Sequence, residues 1–242
     1  MKIEWFDALE STNSYCKLLD LIAAEEFTVI CARQQTAGVG QQGNRWDSEP
    51  GQNLTFSIIL KPTFLLARDQ YMLTMAVAVA VYKWISNQLG QETVSIKWPN
   101  DIYVGNRKIC GILISTAVHQ QHLSTAICGI GININQTAFA EWVPNPTSVK
   151  QLLGKDTMLE EALPQVIKQI EKSYALLQTD PSAVRAQYMS HLLFLGKESR
   201  YIYHGQEINA TITDVDHFGH LLLLKSDNSL LQCDIKEIQF IL

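Results

Sequence analysis

The 242-residue sequence predicts an α+β protein: a large domain of mixed strands and helices over residues 1–195, then a small β-barrel over residues 196–242. Three observations carry this. Segments such as Phe27–Arg33 and Leu54–Leu60 are nearly unbroken apolar runs of strand length, the pattern of strands buried on both faces. Between the strand patterns lie long segments, 69–89 and 159–178, with apolar residues at helical spacing. From Glu198 onward five short strand patterns, separated by His204-Gly205, Phe218-Gly219 and Asp227-Asn228, fit into about 45 residues, which suits a small barrel.

Composition supports a folded chain. At 47% hydrophobic and 18% charged it can bury a core. A net charge of −5 gives no support for nucleic-acid binding as its role. No apolar run reaches the length of a membrane span, and Met1-Lys2-Ile3-Glu4 lacks the basic start and apolar core of a signal peptide. Cys16, Cys31, Cys110, Cys128 and Cys233 are odd in number and scattered, as expected for small apolar residues of a reduced, cytoplasmic protein.

In chain order, Ile3–Leu9 alternates as an edge strand. Ser11-Thr12-Asn13 then precedes a helix expected over 14–24; one of the three suffices as N-cap, which leaves the others free for a ligand. After the strand 27–33 comes Gly38-Val39-Gly40-Gln41-Gln42-Gly43-Asn44-Arg45-Trp46. Gly38 to Gly43 matches the dinucleotide fingerprint G-x-G-x-x-G, but no helix opens inside it and no acid follows at the required distance. A loop whose backbone amides wrap an anion is the better reading. Gly90 is the expected stop of the helix 69–89.

The stretch Lys97-Trp-Pro-Asn-Asp-Ile-Tyr-Val-Gly-Asn-Arg-Lys-Ile-Cys-Gly111 sets charged and polar residues between apolar strands. Val94–Trp98 is a strand that Pro99 stops; Asp101–Val104 resumes it; Gly105-Asn106 turns it; Lys108–Ala117 returns. Regular alternation would put Lys108, Cys110 and Ile112 on one face and Ile109, Gly111 and Leu113 on the other. The strand 123–132 ends in Gly129-Ile130-Gly131-Ile132-Asn133, where the glycines admit a ligand close to the backbone. An irregular loop, 136–147, carries Trp142. Thr157-x-x-Glu160 reads as a capping box for the helix 159–178, and Asp180-Pro181 as the cap of a helix reaching about Leu193. The histidine pairs 119/122 and 217/220 have no further ligand nearby and read as solvated turns.

Taken in order, Ser11-Thr-Asn13, the glycine loop ending in Trp46, Lys97-Trp-Pro-Asn-Asp101, Arg107-Lys108 with Gly111, Gly129-Ile-Gly-Ile-Asn133 and the barrel tail resemble the biotin protein ligases over the whole chain. The resemblance implies a mixed-sheet catalytic domain related to class II aminoacyl-tRNA synthetases, followed by an SH3-like barrel. It implies ATP and biotin as substrates, Mg²⁺ brought with ATP, and no dedicated metal site. The reaction it implies forms biotinyl-AMP, then biotinylates a lysine of a biotin carboxyl-carrier domain. Only ten residues precede Ser11, so the DNA-binding domain that some relatives carry is not expected; a ligand-promoted homodimer through a sheet edge is compatible with the family.

Residue by residue, the resemblance makes Lys108, Asp101 and Lys97 the catalytic candidates. Lys108 would stabilise the phosphoryl transition state and touch both substrates. Asp101 would orient or deprotonate the acceptor amine, and Lys97 would hold phosphates. Ser11, Thr12 and Gln35 would hydrogen-bond biotin, with Asn13 shaping that pocket. Trp46, Ile112 and Gly129 would form the apolar wall, with Gly111 and Asn133 beside it. The loop positions Gly38, Val39, Gly40 and Gln41 would face the adenylate, with Trp142 as an adenine platform.

One departure stands out. The family's loop usually reads Gly-Arg-Gly-Arg-x-Gly-Arg; here Val39, Gln41 and Asn44 replace the three arginines. Losing one or two charge-assisted hydrogen bonds, about 1.5–3 kcal/mol each, weakens phosphate contacts by about tenfold to more than ten-thousandfold unless Arg45 or Lys108 compensates. An active ligase whose adenylate escapes readily is expected. The competing classes are a lipoate or octanoate protein ligase, and a biotin sensor impaired in turnover.

Overall fold

A computed structural model describes residues 2–90 and 93–242, the side chain of Gln42 apart. Seven strands form one mixed sheet: β1 (Lys2–Leu9), β2 (Thr28–Gln35), β3 (Leu54–Leu60), β4 (Val94–Lys97), β5 (Asp101–Val104), β6 (Arg107–His119) and β7 (His122–Ile132). Their order is β1-β2-β3-β7-β6-β5-β4. Only β1 and β2 run parallel; the other pairs are antiparallel.

Helix α1 (Thr12–Leu18) lies between β1 and β2, and α2 (Tyr71–Leu89) between β3 and β4. After β7 come α3 (Val149–Leu153), α4 (Leu159–Thr179) and α5 (Pro181–Ser190). The long helix α2 packs against α4 and α5, and its buried residues share one core with Val29, Phe56, Ile58, Cys128 and Ile130 of the sheet. On the opposite face, among the described residues, α1 packs through Cys16 against Ile30, Ile59 and Ile127. Alternation on the strands thus splits the sheet into a covered face and one with room for a ligand.

Three helices depart from expectation, α5 by ending at Ser190 rather than near Leu193. α1 runs 12–18, not 14–24. The N–H of Leu19 turns back to the Cys16 carbonyl, and the Asp20 carboxylate accepts from the Ile22 and Ala23 amides, so 20–24 forms its own turn. α4 starts at Leu159 with no side-chain cap. Thr157 is instead engaged through its backbone by the Asn135 side chain, which accepts from its N–H and donates to its carbonyl, each at 2.9 Å. Asp180 does cap α5, accepting from the Ala183 amide.

The tail forms a second, antiparallel sheet of β8 (Glu198–Tyr203), β9 (Gln206–Val215), β10 (Leu221–Lys225), β11 (Leu230–Cys233) and β12 (Ile238–Phe240), ordered β11-β10-β9-β8-β12. The outer strands β11 and β12 are not paired with each other, so the sheet is open where a closed barrel was expected. Its buried residues, Tyr201, Ile212, Val215 and Leu223 among them, are continuous with the main core. All five cysteines are buried and unbridged. No helix among the described residues is long and apolar enough to cross a membrane.

Candidate active site

The free face of the sheet has a floor of glycine. Gly111 on β6 pairs with Gly131 on β7, and Leu113 with Gly129. The Trp46 indole lies across Gly111 and Gly131, so close that a Cβ at Gly131 would collide with it. Beyond Gly129 stands Asn13, whose amide nitrogen would lie 3.1 Å from a Cβ there. Only glycine leaves room for both side chains.

The N-terminus of α1 supplies the polar wall. Ser11 is the N-cap, accepting from the Ser14 amide at 3.3 Å. The Thr12 amide donates to the Gln35 side-chain oxygen at 2.8 Å, and its hydroxyl pairs with that of Ser57 at 2.9 Å. Asn13 is buried, yet neither its side-chain oxygen nor its nitrogen has a partner in the protein, and the same holds for Trp46 Nε1. Buried groups of this kind are costly unless something satisfies them. They line a cavity of about 140 Å³.

The glycine loop closes this cavity as an ordered hairpin. Val39 bridges Arg45, the Gly40 amide donates to Asn44 O, and the Trp46 amide donates to Gly38 O. A Cβ at Gly38 would strike the Trp46 carbonyl, so the turn cannot tighten around a larger residue. Val39, Gly40 and Gln41 line the cavity; Val39 is 40% exposed.

At the rim, Lys108 Nζ meets Asp101 Oδ2 at 2.7 Å, both side chains largely shielded from solvent. Regular alternation would have put Lys108 on the face opposite Gly111. A β-bulge overturns this: Ile102 pairs with Cys110 but Tyr103 with Lys108, leaving Ile109 extra. Ile109 and Cys110 are both fully buried, and Lys108 swings to the Gly111 side, where its Nζ would lie 3.4 Å from a Cβ on Gly111. Re-aiming one side chain in this way is a known use of bulges. Ile112, expected on the ligand wall, belongs to the main core while edging the cavity; its carbonyl accepts from the Asn100 amide.

Lys97 is separate from that pair. Its ammonium sits over the rings of Phe240, 4.6 Å away, and Tyr103, 5.6 Å away. Burial holds its pKa below the ordinary lysine value, against the raising effect of Asp101, with Lys108 lowering it further. It borders a cavity of about 180 Å³ between this turn and the tail.

A third and larger cavity, about 710 Å³, opens on the far side of Lys108. The loop 136–147 forms its wall, with Trp142 55% exposed. Lys108 holds that loop by its own backbone: its N–H donates to Asn145 O at 2.7 Å, and its carbonyl accepts from Thr147 N–H at 2.9 Å. Asn133 Nδ2 donates to Thr147 O at 2.9 Å, so Asn133 positions the loop as well as lining the cavity. Among the described residues no group of three or more His, Cys, Asp or Glu could hold a metal ion.

Sequence reasoning missed several residues. Ser57 pairs with Thr12 and Asn100 lines the small cavity, and Asn100 alone of the two carried a signal, its place beside Asp101; Asn44, noted in the sequence only as replacing a loop arginine, lines the cavity as well. The hydroxyls of Tyr71 and Tyr188 both reach Pro99 O, at 2.9 and 3.0 Å, from helices far away in sequence. Trp98 Nε1 donates to Gly219 O of the tail at 2.9 Å.

A mixed sheet with a glycine floor, and a lysine–aspartate pair where three cavities meet, marks this as a ligand-activating domain. The chain belongs to the biotin/lipoate A/B protein ligase family, whose model matches residues 5–133. It is 31% identical over 227 residues to the bifunctional ligase/repressor BirA of Bacillus subtilis, covering 90% of this chain and 68% of that protein. It is 27% identical over 201 residues to the biotin–(acetyl-CoA-carboxylase) ligase of Paracoccus denitrificans, covering 80% of this chain and 82% of the relative. A biotin protein ligase from Aquifex aeolicus, solved with biotin and ATP, has a similar fold: TM-score 0.81, 24% identity, 98% of this chain and 97% of that one.

Proposed function

We propose that the chain is a biotin–(acetyl-CoA-carboxylase) ligase, using Mg-ATP to make biotinyl-5′-AMP and transferring biotin to a lysine of a carboxyl-carrier domain. The single observation that carries this is Lys108, set by its bulge where the small polar cavity and the large cavity meet. A carboxylate attacking an α-phosphate brings two negative groups together, and a fixed cation between them stabilises the transition state. Biotin takes the small cavity, meeting Ser11, Thr12, Gln35 and the unpartnered Asn13, over Gly111 and Gly129. Trp46 covers it; the described cavity is narrow because the indole lies on the glycine floor. The nucleotide takes the larger cavity beside Trp142, with magnesium entering as part of that substrate. Asp101 receives the acceptor ammonium, and Lys97 adds positive potential behind it.

The glycine hairpin offers backbone amides, but Val39 and Gln41 bring no charge, so the adenylate leaves more readily than it would from an arginine-bearing loop. We read the tail as an SH3-like barrel left open, the boundary as falling near residue 196, and the sheet edge as available for pairing between two ligated copies.

Intact mass of a carrier domain incubated with protein, biotin and Mg-ATP tests the reading. A biotin-sized gain, abolished by Lys108→Ala, is expected. Biotin binding without pyrophosphate release would point to a sensor; transfer from lipoate or octanoate instead would point to that branch of the family.

A further inference from the structure

We propose that the cavity between the Lys97–Asp101 turn and the tail is the entry route for the acceptor's lysine side chain, with Ile235, Ile238 and Phe240 as its guide wall. This rests on the ligase reading above and extends it to the second substrate.

The three cavities overlap at the reacting centre. The small one and the large one share Trp46 and Lys108. The tail-side cavity shares Gln41, Asn44, Asn100 and Asp101 with the small one, meets the large one at Asn44, and does not touch Lys108. It therefore reaches the Lys108–Asp101 pair from the aspartate side. When an acyl-adenylate fills the other two, this opening still leads towards the acyl carbon from the Asp101 side.

Its lining suits a primary amine on a flexible apolar stem. The outer wall is Ile235, in the turn between β11 and β12, with Ile238 and Phe240 of β12. The inner end is Asn100 and Asp101, an amide and a carboxylate that accept from an ammonium. Lysine buries its methylenes along apolar surface while its charged head seeks polar partners. Lys97, which borders the same cavity, shows that this wall takes a lysine stem: its ammonium rests on Phe240 and Tyr103 and makes no ion pair with Asp101, its cross-strand neighbour, so the carboxylate is left for the incoming amine. Asp101 keeps one carboxylate oxygen on Lys108 and has the other to offer. Transfer then balances simply. The ε-nitrogen forms a C–N bond to the acyl carbon, the C–O bond to AMP breaks with AMP keeping the electron pair, and the proton lost from nitrogen passes to Asp101 or water.

The guide wall thus acts in the second half-reaction. Hydroxylamine, a small amine that needs no guide wall, separates the two. Ile235 is partly buried at the mouth. Ile235→Trp is expected to lower the ratio of carrier biotinylation to hydroxylamine-dependent turnover by about tenfold or more. Ile235→Lys, which places a like charge at the mouth, is expected to raise the carrier KM, most strongly at low salt. This second variant serves if the tryptophan perturbs folding. An unchanged ratio in both variants, or equal loss of both turnovers in each, overturns the route. No biotin-dependent pyrophosphate release from the unaltered chain overturns the ligase reading, and the route with it.

Discussion

Lys97 shows how a single side chain carries both a cost and a task. Burial lowers its pKa from the ordinary 10.5, so its ammonium opposes folding at neutral pH. Between the folded and unfolded values the unfolded chain binds more protons, and stability rises with pH across that window. Lys97→Met is therefore expected to raise Tm at pH 7 and to raise it less near pH 10, while slowing ligation. Thermal melts across that range check it; a gain that grows with pH would mean that the rings of Tyr103 and Phe240 outweigh burial. Gly131 is the complementary case. Gly131→Ala puts a methyl into the Trp46 indole. Red-shifted tryptophan emission, absent in a Trp46→Phe background, and weaker biotin binding are expected. Blue-shifted or unchanged emission would mean that the indole keeps its seat. The stretch 97–111 stood out in the sequence because charged and polar residues between apolar strands have few structural uses, while the role of each residue came from the family resemblance. The ties to Ser57, Tyr71 and Tyr188 were not, because hydrogen bonds between distant segments leave no local spacing.

Among the elements, β6 decides the site. Alternation placed Lys108 away from Gly111, and only the pairing with β5 reveals the bulge, because the extra residue is defined by its partner strand. Ile109 gives a direct test. As the bulged, fully buried residue, it is expected to cost about 2–5 kcal/mol on substitution by alanine. On a regular strand it would face the cavity and the change would be nearly neutral. Urea denaturation distinguishes the two. The helix patterns of α2 and α4 were readable, since each buries many apolar residues; α5 buries only Val184 and Tyr188, and its end was placed too late. The capping box at Thr157 misled, because Asn135 competes for the same backbone. The end of α1 was hidden too: the apolar spacing continues to Ala24, while Asp20 claims the amides that a longer helix would need.

At the scale of the molecule, the two sheets share one apolar core, and Trp98 ties the motif turn to Gly219 of the tail. A single calorimetric transition, with van't Hoff and calorimetric enthalpies equal, is expected; two separated peaks would mean that the tail folds as its own unit. The composition break near residue 196 made the tail visible in sequence, but not its dependence on the main core. The backbone clip between Lys108 and residues 145–147 has one more consequence. The cation and the wall of the larger cavity share a single length of chain, so neither settles alone. A shift of that loop would carry the ammonium with it, so the shape of the larger cavity and the place of the cation are one variable rather than two.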